Sequence, residues 1–304
     1  MGTYYDSQMS EPKKIDMKNL LEQYNNAFQL EKELRKDLFI TIIVSPKEQL
    51  NSKKLNISRE TPLIIKAFPA ENVGDVNSLK ISQDLKYIET QYSDLKINPN
   101  ILPIIKIKEF KSLKATIILR QYIKYNLNDL QYHMHCISEI EKKWVCLQLL
   151  QGLSQIHSKF KCHGDIKPNN ILLSSKLSVF YSDISLYKPV YLPVENLQSY
   201  NIFFYSSEHD KSCYLAPERF VNNLDEIAGS KDLTPEMDIF SLGVVMSEIF
   251  LEKPGIFTQN DIINYKKKKT DIAMALFDIK DKDLRSLLIS MIEIEPKKRA
   301  NLKD

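Results

Sequence analysis

The stretch HGDIKPNNILL, His163 to Leu173, places a carboxylate (Asp165), an ammonium (Lys167) and an amide (Asn170) directly before an apolar run. The apolar run predicts a buried strand, so these polar groups stand at the edge of a core, where an unpaired charge costs several kcal/mol. A second carboxylate, Asp183, ends the pair of short strands ILLSS and SVFYSD. Phosphoryl transfer uses this inventory. It needs an acceptor hydroxyl held in line, its proton taken up, and phosphate charge matched by Mg2+ and cations. On that chemistry Asp165 takes the proton, Lys167 meets the transferring phosphate, and Asn170 and Asp183 offer oxygen to the metal.

The elements that must position these groups read from periodicity. Residues 1–34 are polar and show no strand pattern, with a short helix within MKNLLEQYNNAFQLEKEL. LFITIIV (residues 38–44) and PLIIKAF (residues 62–68) read as strands. The second carries Lys66 inside an apolar run, which calls for a carboxylate or phosphate partner unless the side chain snorkels from an edge strand. Residues 76–96 have a helical rhythm through Leu79, Leu85, Ile88, Tyr92 and Leu95, and this helix contains Glu89. KATIILRQYI (residues 114–123) is a further strand. After Asn126 the pattern turns helical: Glu139 to Phe160 carries Val145, Leu149, Leu153 and Ile156 on one stripe, and residues 236–251 are apolar around much of the circumference. The expected class is α+β, with an N-terminal segment (1–34), a small β-rich lobe (35–122) and a larger helical lobe (123–304). KKKK, Lys266 to Lys269, reads as a solvated loop face.

Composition narrows the function classes. The chain has 304 residues, 43% hydrophobic and 27% charged, which fits a soluble globular protein rather than a disordered one. A net charge of +3 is too small an excess to argue for nucleic acid. Cys136, Cys146, Cys162 and Cys213 form no C-x-x-C pair, and HMHC (residues 133–136) has no second ligand pair at zinc spacing. A reducing, cytosolic setting is expected. No run of ~18 apolar residues is present to span a bilayer. Gly2 stands where N-myristoylation would occur, but the sixth position is Asp6 and Ser7 comes one step late.

The order of the pieces carries more than any one of them. Lys66, Glu89, PNI at residues 99–101, HGDIKPNN, Asp183, APE at residues 216–218 and DIFSLG at residues 238–243 follow one another as in the eukaryotic protein kinases, which the chain resembles from about residue 35 to its end. The resemblance implies a two-lobed kinase fold binding ATP or GTP with Mg2+. It pairs Lys66 with Glu89 at the nucleotide, makes Asp165 the base, and makes Asn170 and Asp183 the metal ligands. Glu218 with Arg299, and Asp238, become structural residues. The segment between Asp183 and Glu218, together with RQYIKYNLNDL and EIEKKWVCLQLL, is similar to the regulatory subunit 4 family of phosphoinositide 3-kinases. That closer likeness implies three partners: the class III phosphatidylinositol 3-kinase catalytic subunit, a beclin-type subunit, and a membrane surface reached through a myristoyl group on Gly2. It implies a cytoplasmic protein, peripheral on endosomal and autophagic membranes.

The departures from the kinase pattern are equally specific. No glycine lies between Gly2 and Gly74, so a G-x-G-x-x-G phosphate lid is missing. Ile184 and Ser185 replace the Phe and Gly of the metal motif, which argues against switching between two loop states. Gly164 replaces the Arg that docks an activation-loop phosphate, leaving Ser206, Ser207 and Ser212 without that cation. Ile64 narrows the base pocket, and Arg120 falls near the gatekeeper position. Two readings follow: a serine/threonine kinase of low activity, or an inactive nucleotide-binding scaffold. Lys66, Glu89, Asn170 and Asp183 could also form a ligand-free salt-bridge cluster.

Overall fold

The computed structural model describes residues 17–22, 24, 27–36, 39–47, 61–69, 78–93, 98–131, 133–195, 198–204, 212–222 and 232–302. The chain is α+β and divides into two compact units, residues 1–86 with 104–122 and residues 87–103 with 123–304.

The first unit follows a short helix α1 (Met17–Glu22) with strands β1 (Phe28–Lys36), β2 (Ile40–Pro46) and β3 (Leu63–Pro69), the helix α2 (Ser78–Ser93, shared with the second unit), and strands β4 (Ile104–Phe110) and β5 (Ala115–Gln121). The five strands form one antiparallel sheet in the order β1-β2-β3-β5-β4. Alternation sets the two faces. Ile42, Val44, Leu63, Ile65, Ala67, Ile117 and Leu119 pack with Leu20 and Phe28 in one core. Ile64, Lys66 and Phe68 therefore share the opposite face of β3.

Residues 28–34, polar by sequence, belong to β1, and β4 has no counterpart in the sequence reading. Both are edge strands. β1 alternates Glu31, Lys32, Glu33 and Arg35 and is broken by two register shifts, while Lys106, Lys108 and Glu109 of β4 are exposed. Charged, irregular edges of this kind stop strands from pairing with other chains, and they also erase the apolar signal.

The second unit holds β6 (Tyr125–Asn126), α3 (Leu127–Gln131), α4 (Glu139–Phe160), β7 (Ile171–Leu173), β8 (Val179–Tyr181), β9 (Leu192–Pro193), α5 (Gln198–Phe203), β10 (Phe220–Val221), α6 (Pro235–Leu251), α7 (Gln259–Lys266), α8 (Ile272–Ala275) and α9 (Lys282–Met291). Ser138 and Glu141 close a capping box on α4. Gly152 lets α4 approach β8: a Cβ there would lie 2.8 Å from the Tyr181 ring and 2.9 Å from Asn100 Cβ. Asn100 in turn accepts from the Tyr181 N–H at 2.8 Å. Lys266 ends α7 and donates to the Phe220 carbonyl, so one member of the exposed lysine run is anchored.

Every residue of α6 from Met237 to Ile249 is buried, Glu248 included. The Glu248 carboxylate accepts from Gly255 N (2.7 Å), Tyr214 Oη (3.0 Å), Ile256 N (3.2 Å) and Gln131 Nε2 (2.5 Å). Burial outweighs these bonds and pushes its pKa up to about 7. A raised carboxyl pKa contributes stability below the unfolded value near 4.5, and this is lost as pH rises through 7. Thermal unfolding should therefore show a loss on the order of 2 kcal/mol between about pH 5.5 and 7.5 from this group. Glu248→Gln, scanned over the same range, should lack that component.

Candidate active site

The loop between α4 and β7 is buried despite its polarity: His163 is 0%, Asp165 4% and Asn170 8% exposed. Asp238, in the first turn of α6, makes this possible. It accepts from the His163 N–H at 2.6 Å and the Gly164 N–H at 2.9 Å, and His157 Nε2 lies 3.1 Å away. Gly164 has φ +84°, and a Cβ there would lie 3.0 Å from Ser185 O and 2.7 Å from Leu233 Cδ1. An arginine cannot replace it without strain in this loop. The imidazole of His163 accepts from the Asp165 N–H at Nδ1 (3.2 Å), so its other nitrogen carries hydrogen and donates to Ser182 O (3.0 Å). Burial holds the His163 pKa below its ordinary value, which keeps the ring neutral.

That frame brings Asp165, Lys167, Asn170 and Asp183 together. Asn170 Nδ2 donates at 2.8 Å to both the carbonyl and Oδ2 of Asp165, which turns its own amide oxygen the other way. The Ser182 N–H and hydroxyl both reach the Asn170 carbonyl, at 2.9 and 3.1 Å, setting Asp183 beside it. Asp183 has φ +64°, an uncommon region that aspartate tolerates better than most residues and that marks functional sites. Ser185, in the hinge position, is tied on two sides: its N–H donates to His163 O (2.8 Å) and its hydroxyl to Asp183 O (2.6 Å).

The Asp165 carboxylate meets two cations. Lys188 Nζ lies 2.6 Å from Oδ2, and Lys167 Nζ lies 3.7 Å from it while donating to Phe204 O at 2.9 Å. Burial opposes ionisation of Asp165, and the two ammonium groups outweigh it, holding its pKa below the ordinary carboxylate value. Arg219, 2% exposed, donates to Gly164 O, Val190 O and Pro189 O, each at 2.9 Å. Its guanidinium sits 4.9 Å from the Phe204 ring. Lys188, Phe204 and Arg219 were not singled out by sequence. The available signals were that Lys188 is the sole charge between Asp183 and Glu195, and that Arg219 directly follows APE.

Lys66 is half-buried in β3, an interior strand, opposite Thr41 and Ile118, which removes the edge-strand alternative. Glu89 lies on α2 and is exposed. Ile64 and Arg120 are register partners on β3 and β5, 1% and 8% exposed, so the two departures at the base position stand side by side. Arg299 makes a two-pronged ion pair with Glu218, both contacts 2.7 Å, and fills its other donors with the carbonyls of Glu236, Glu293 and Ile294. Gly2, Ser206 and Ser207 lie outside the described residues. Ser212 bridges Thr258 through its backbone.

The donor set around Asn170 and Asp183 fits Mg2+: hard oxygens, few in number, leaving room for phosphate and water oxygens. Among the described residues no group of three or more His, Cys, Asp or Glu side chains forms a dedicated metal cage. No helix among them is long and apolar enough to cross a membrane.

The sequence profile of the protein kinase domain matches residues 52–304. The chain is 35% identical over 239 residues to the serine/threonine-protein kinase vps15 of Schizosaccharomyces pombe, covering 78% of this chain and 14% of that protein. It is 37% identical over 193 residues to VPS15 of Arabidopsis thaliana (63% and 13%) and 37% identical over 220 residues to VPS15 of Saccharomyces cerevisiae (71% and 15%). The chain thus spans about one seventh of the length of these relatives.

Proposed function

This chain belongs to the protein kinase family, and from that premise we propose that it binds a magnesium–nucleoside triphosphate and serves as the kinase-type regulatory part of a class III phosphatidylinositol 3-kinase complex. The observation that carries the nucleotide half is the convergence of Asp165, Asn170 and Asp183 in one buried, hydrogen-bonded loop system. Mg2+, held by Asn170 and Asp183, would supply charge neutralisation to the phosphates. The chain's own groups do the rest. Asp165 takes the proton of an acceptor hydroxyl, whose oxygen bonds the terminal phosphorus as the bond to the nucleoside diphosphate breaks. Lys167 faces the phosphoryl oxygens.

The regulatory half rests on the similarity to VPS15 proteins. The catalytic lipid-kinase subunit, a beclin-type subunit, a role in endosomal sorting and autophagy, and myristoylation at Gly2 belong to that half. A single myristoyl chain gives only marginal membrane binding, so partner subunits add the rest.

The test is a thermal melt. Saturating Mg–ATP or Mg–GTP should stabilise the chain by roughly 3–4 kcal/mol at 100 to 1,000 times Kd. The shift should vanish in Asp183→Ala and without Mg2+. A melt unmoved by either nucleotide would overturn the nucleotide half of the proposal. A second reading, a nucleotide-binding scaffold without transfer, is favoured by the missing glycine lid. Under it the melt shifts but no phosphate moves.

A further inference from the structure

We propose that the turn after α7 and the short helix α8 form a contact with an anionic lipid surface, in which Lys267, Lys268 and Lys269 meet the headgroups and Met274 and Phe277 enter the acyl boundary. The inference rests on the membrane part of the reading above, which it deepens, and is independent of the nucleotide part. α7 ends in a hydrogen-bonded knuckle: the Lys268 N–H donates to Tyr265 O at 2.8 Å and the Lys269 N–H to Asn264 O at 3.0 Å. That pair of bonds is the Schellman arrangement, and it sets Lys268 at φ +55°, in the left-handed region where glycine is the usual residue. An apolar contact commonly joins the partners of the longer bond, but here they are Asn264 and Lys269. The backbone therefore fixes the turn, and its three lysines are exposed and form no ion pair among the described residues. Lys266 anchors the base of the turn on Phe220 O.

Just beyond the lysines the surface turns apolar. Two pairs spaced three apart divide between inside and outside: Leu276 and Ile279 are 0% and 3% exposed, whereas Met274 and Phe277 are 76% and 74% exposed. The buried pair seats the segment, so the outer pair projects from a fixed base. Arg285 Nη1 donates to Phe277 O at 3.0 Å and its guanidinium lies 5.5 Å from the Phe277 ring, which adds a cation beside the apolar tip. The Met274 N–H returns to Asp271 O, so the chain is folded here and Met274 lies within about 18 Å of Lys269. Between residues 266 and 285 seven cations stand against four carboxylates, so the segment attracts an anionic surface. Bulky apolar side chains beside a cationic turn match interfacial membrane binding, where both contributions add. An acidic protein partner fits less well. Discrete carboxylates are best met by the arginine fork, whereas consecutive lysines are point charges suited to a surface of many mobile anions.

The test is co-sedimentation of the unacylated 304-residue chain with vesicles of phosphatidylcholine, either alone or with about 30% phosphatidylserine. Binding is expected on the mixed vesicles and not on phosphatidylcholine alone. Lys267→Gln, Lys268→Gln and Lys269→Gln together should lower the partition coefficient at least about thirtyfold. Met274→Ser with Phe277→Ser should lower it at least about tenfold. Lys268→Gly controls for folding: it relieves the left-handed residue and so keeps or raises Tm, yet should weaken binding about fivefold. Absent binding, equal binding to both vesicles, or binding unchanged in any of these variants would overturn the proposal. Binding of the lysine turn to poly-glutamate but not to mixed vesicles would overturn it in favour of an acidic protein. Gly2→Ala in the acylated chain reports on acylation separately: if it leaves vesicle binding unchanged, the myristoyl reading fails and the lysine contact stands.

Discussion

Asparagine in place of Asp165 is expected to lower phosphate transfer by about 10²- to 10⁴-fold, the usual contribution of a positioned general base. Asparagine keeps the shape and can still accept from Asn170 Nδ2, so the loop geometry survives while the proton acceptor is lost. Stability should respond as well. Lys188 Nζ, 2.6 Å from the carboxylate and nearly buried, loses its counter-charge, and breaking a buried pair from one side is costly. A double-mutant cycle between Asp165→Asn and Lys188→Met should return a coupling energy of about 1–3 kcal/mol. Under the scaffold reading the cycle looks the same but transfer stays at background in every form. Kinetics and stability together therefore separate the two functions.

The parts of the fold legible in the sequence were those with a strong apolar period. α4 has the bounds its apolar stripe announces, and β2, β3 and β5 follow their β-branched runs. β1 and β4 were invisible because an edge strand has to be charged on its free side. The site was legible where chemistry demands fixed spacing: Asp165 and Asn170 are five apart because a single turn of loop must bring the amide back to the carboxylate. What spacing cannot show is competition for that carboxylate. Lys188 reaches Asp165 across 23 residues through a segment that reads as bland and apolar, and Arg219 makes its contacts 29 to 55 residues away. Gly164 is the reverse case. Its identity looked like the loss of a phosphate-docking arginine, whereas its positive φ and the nearness of Ser185 O are what the loop requires of it.

Alanine at Asp238 should cost about 3–5 kcal/mol of unfolding free energy, among the largest losses a single substitution can cause in the second unit. Asp238 is 2% exposed and binds two backbone N–H groups that no other described contact serves, those of His163 and Gly164. Truncation leaves both donors buried without an acceptor and costs their full desolvation. At roughly 2–4 °C per kcal/mol for a domain of this size, Tm falls by about 10 °C. Asparagine should lose less, since one carbonyl oxygen can still serve the Gly164 N–H while its amide nitrogen faces the His163 N–H as a second donor. The pH dependence gives a separate check. Burial works against the charge on Asp238 and the His157 and His163 hydrogen bonds outweigh it, so its pKa is lowered. A lowered carboxyl pKa contributes stability above the unfolded value near 3.8, and this is lost as pH falls. The acid limb of a stability curve should be shallower in Asp238→Ala than in the wild type. Hydrogen exchange should place the damage at residues 162–170 before the body of α6, because the helix keeps its own backbone bonds and the loop does not. Only then is Asp238 the residue that holds Asp165 in position, and a uniform loss across the unit would make it ordinary core.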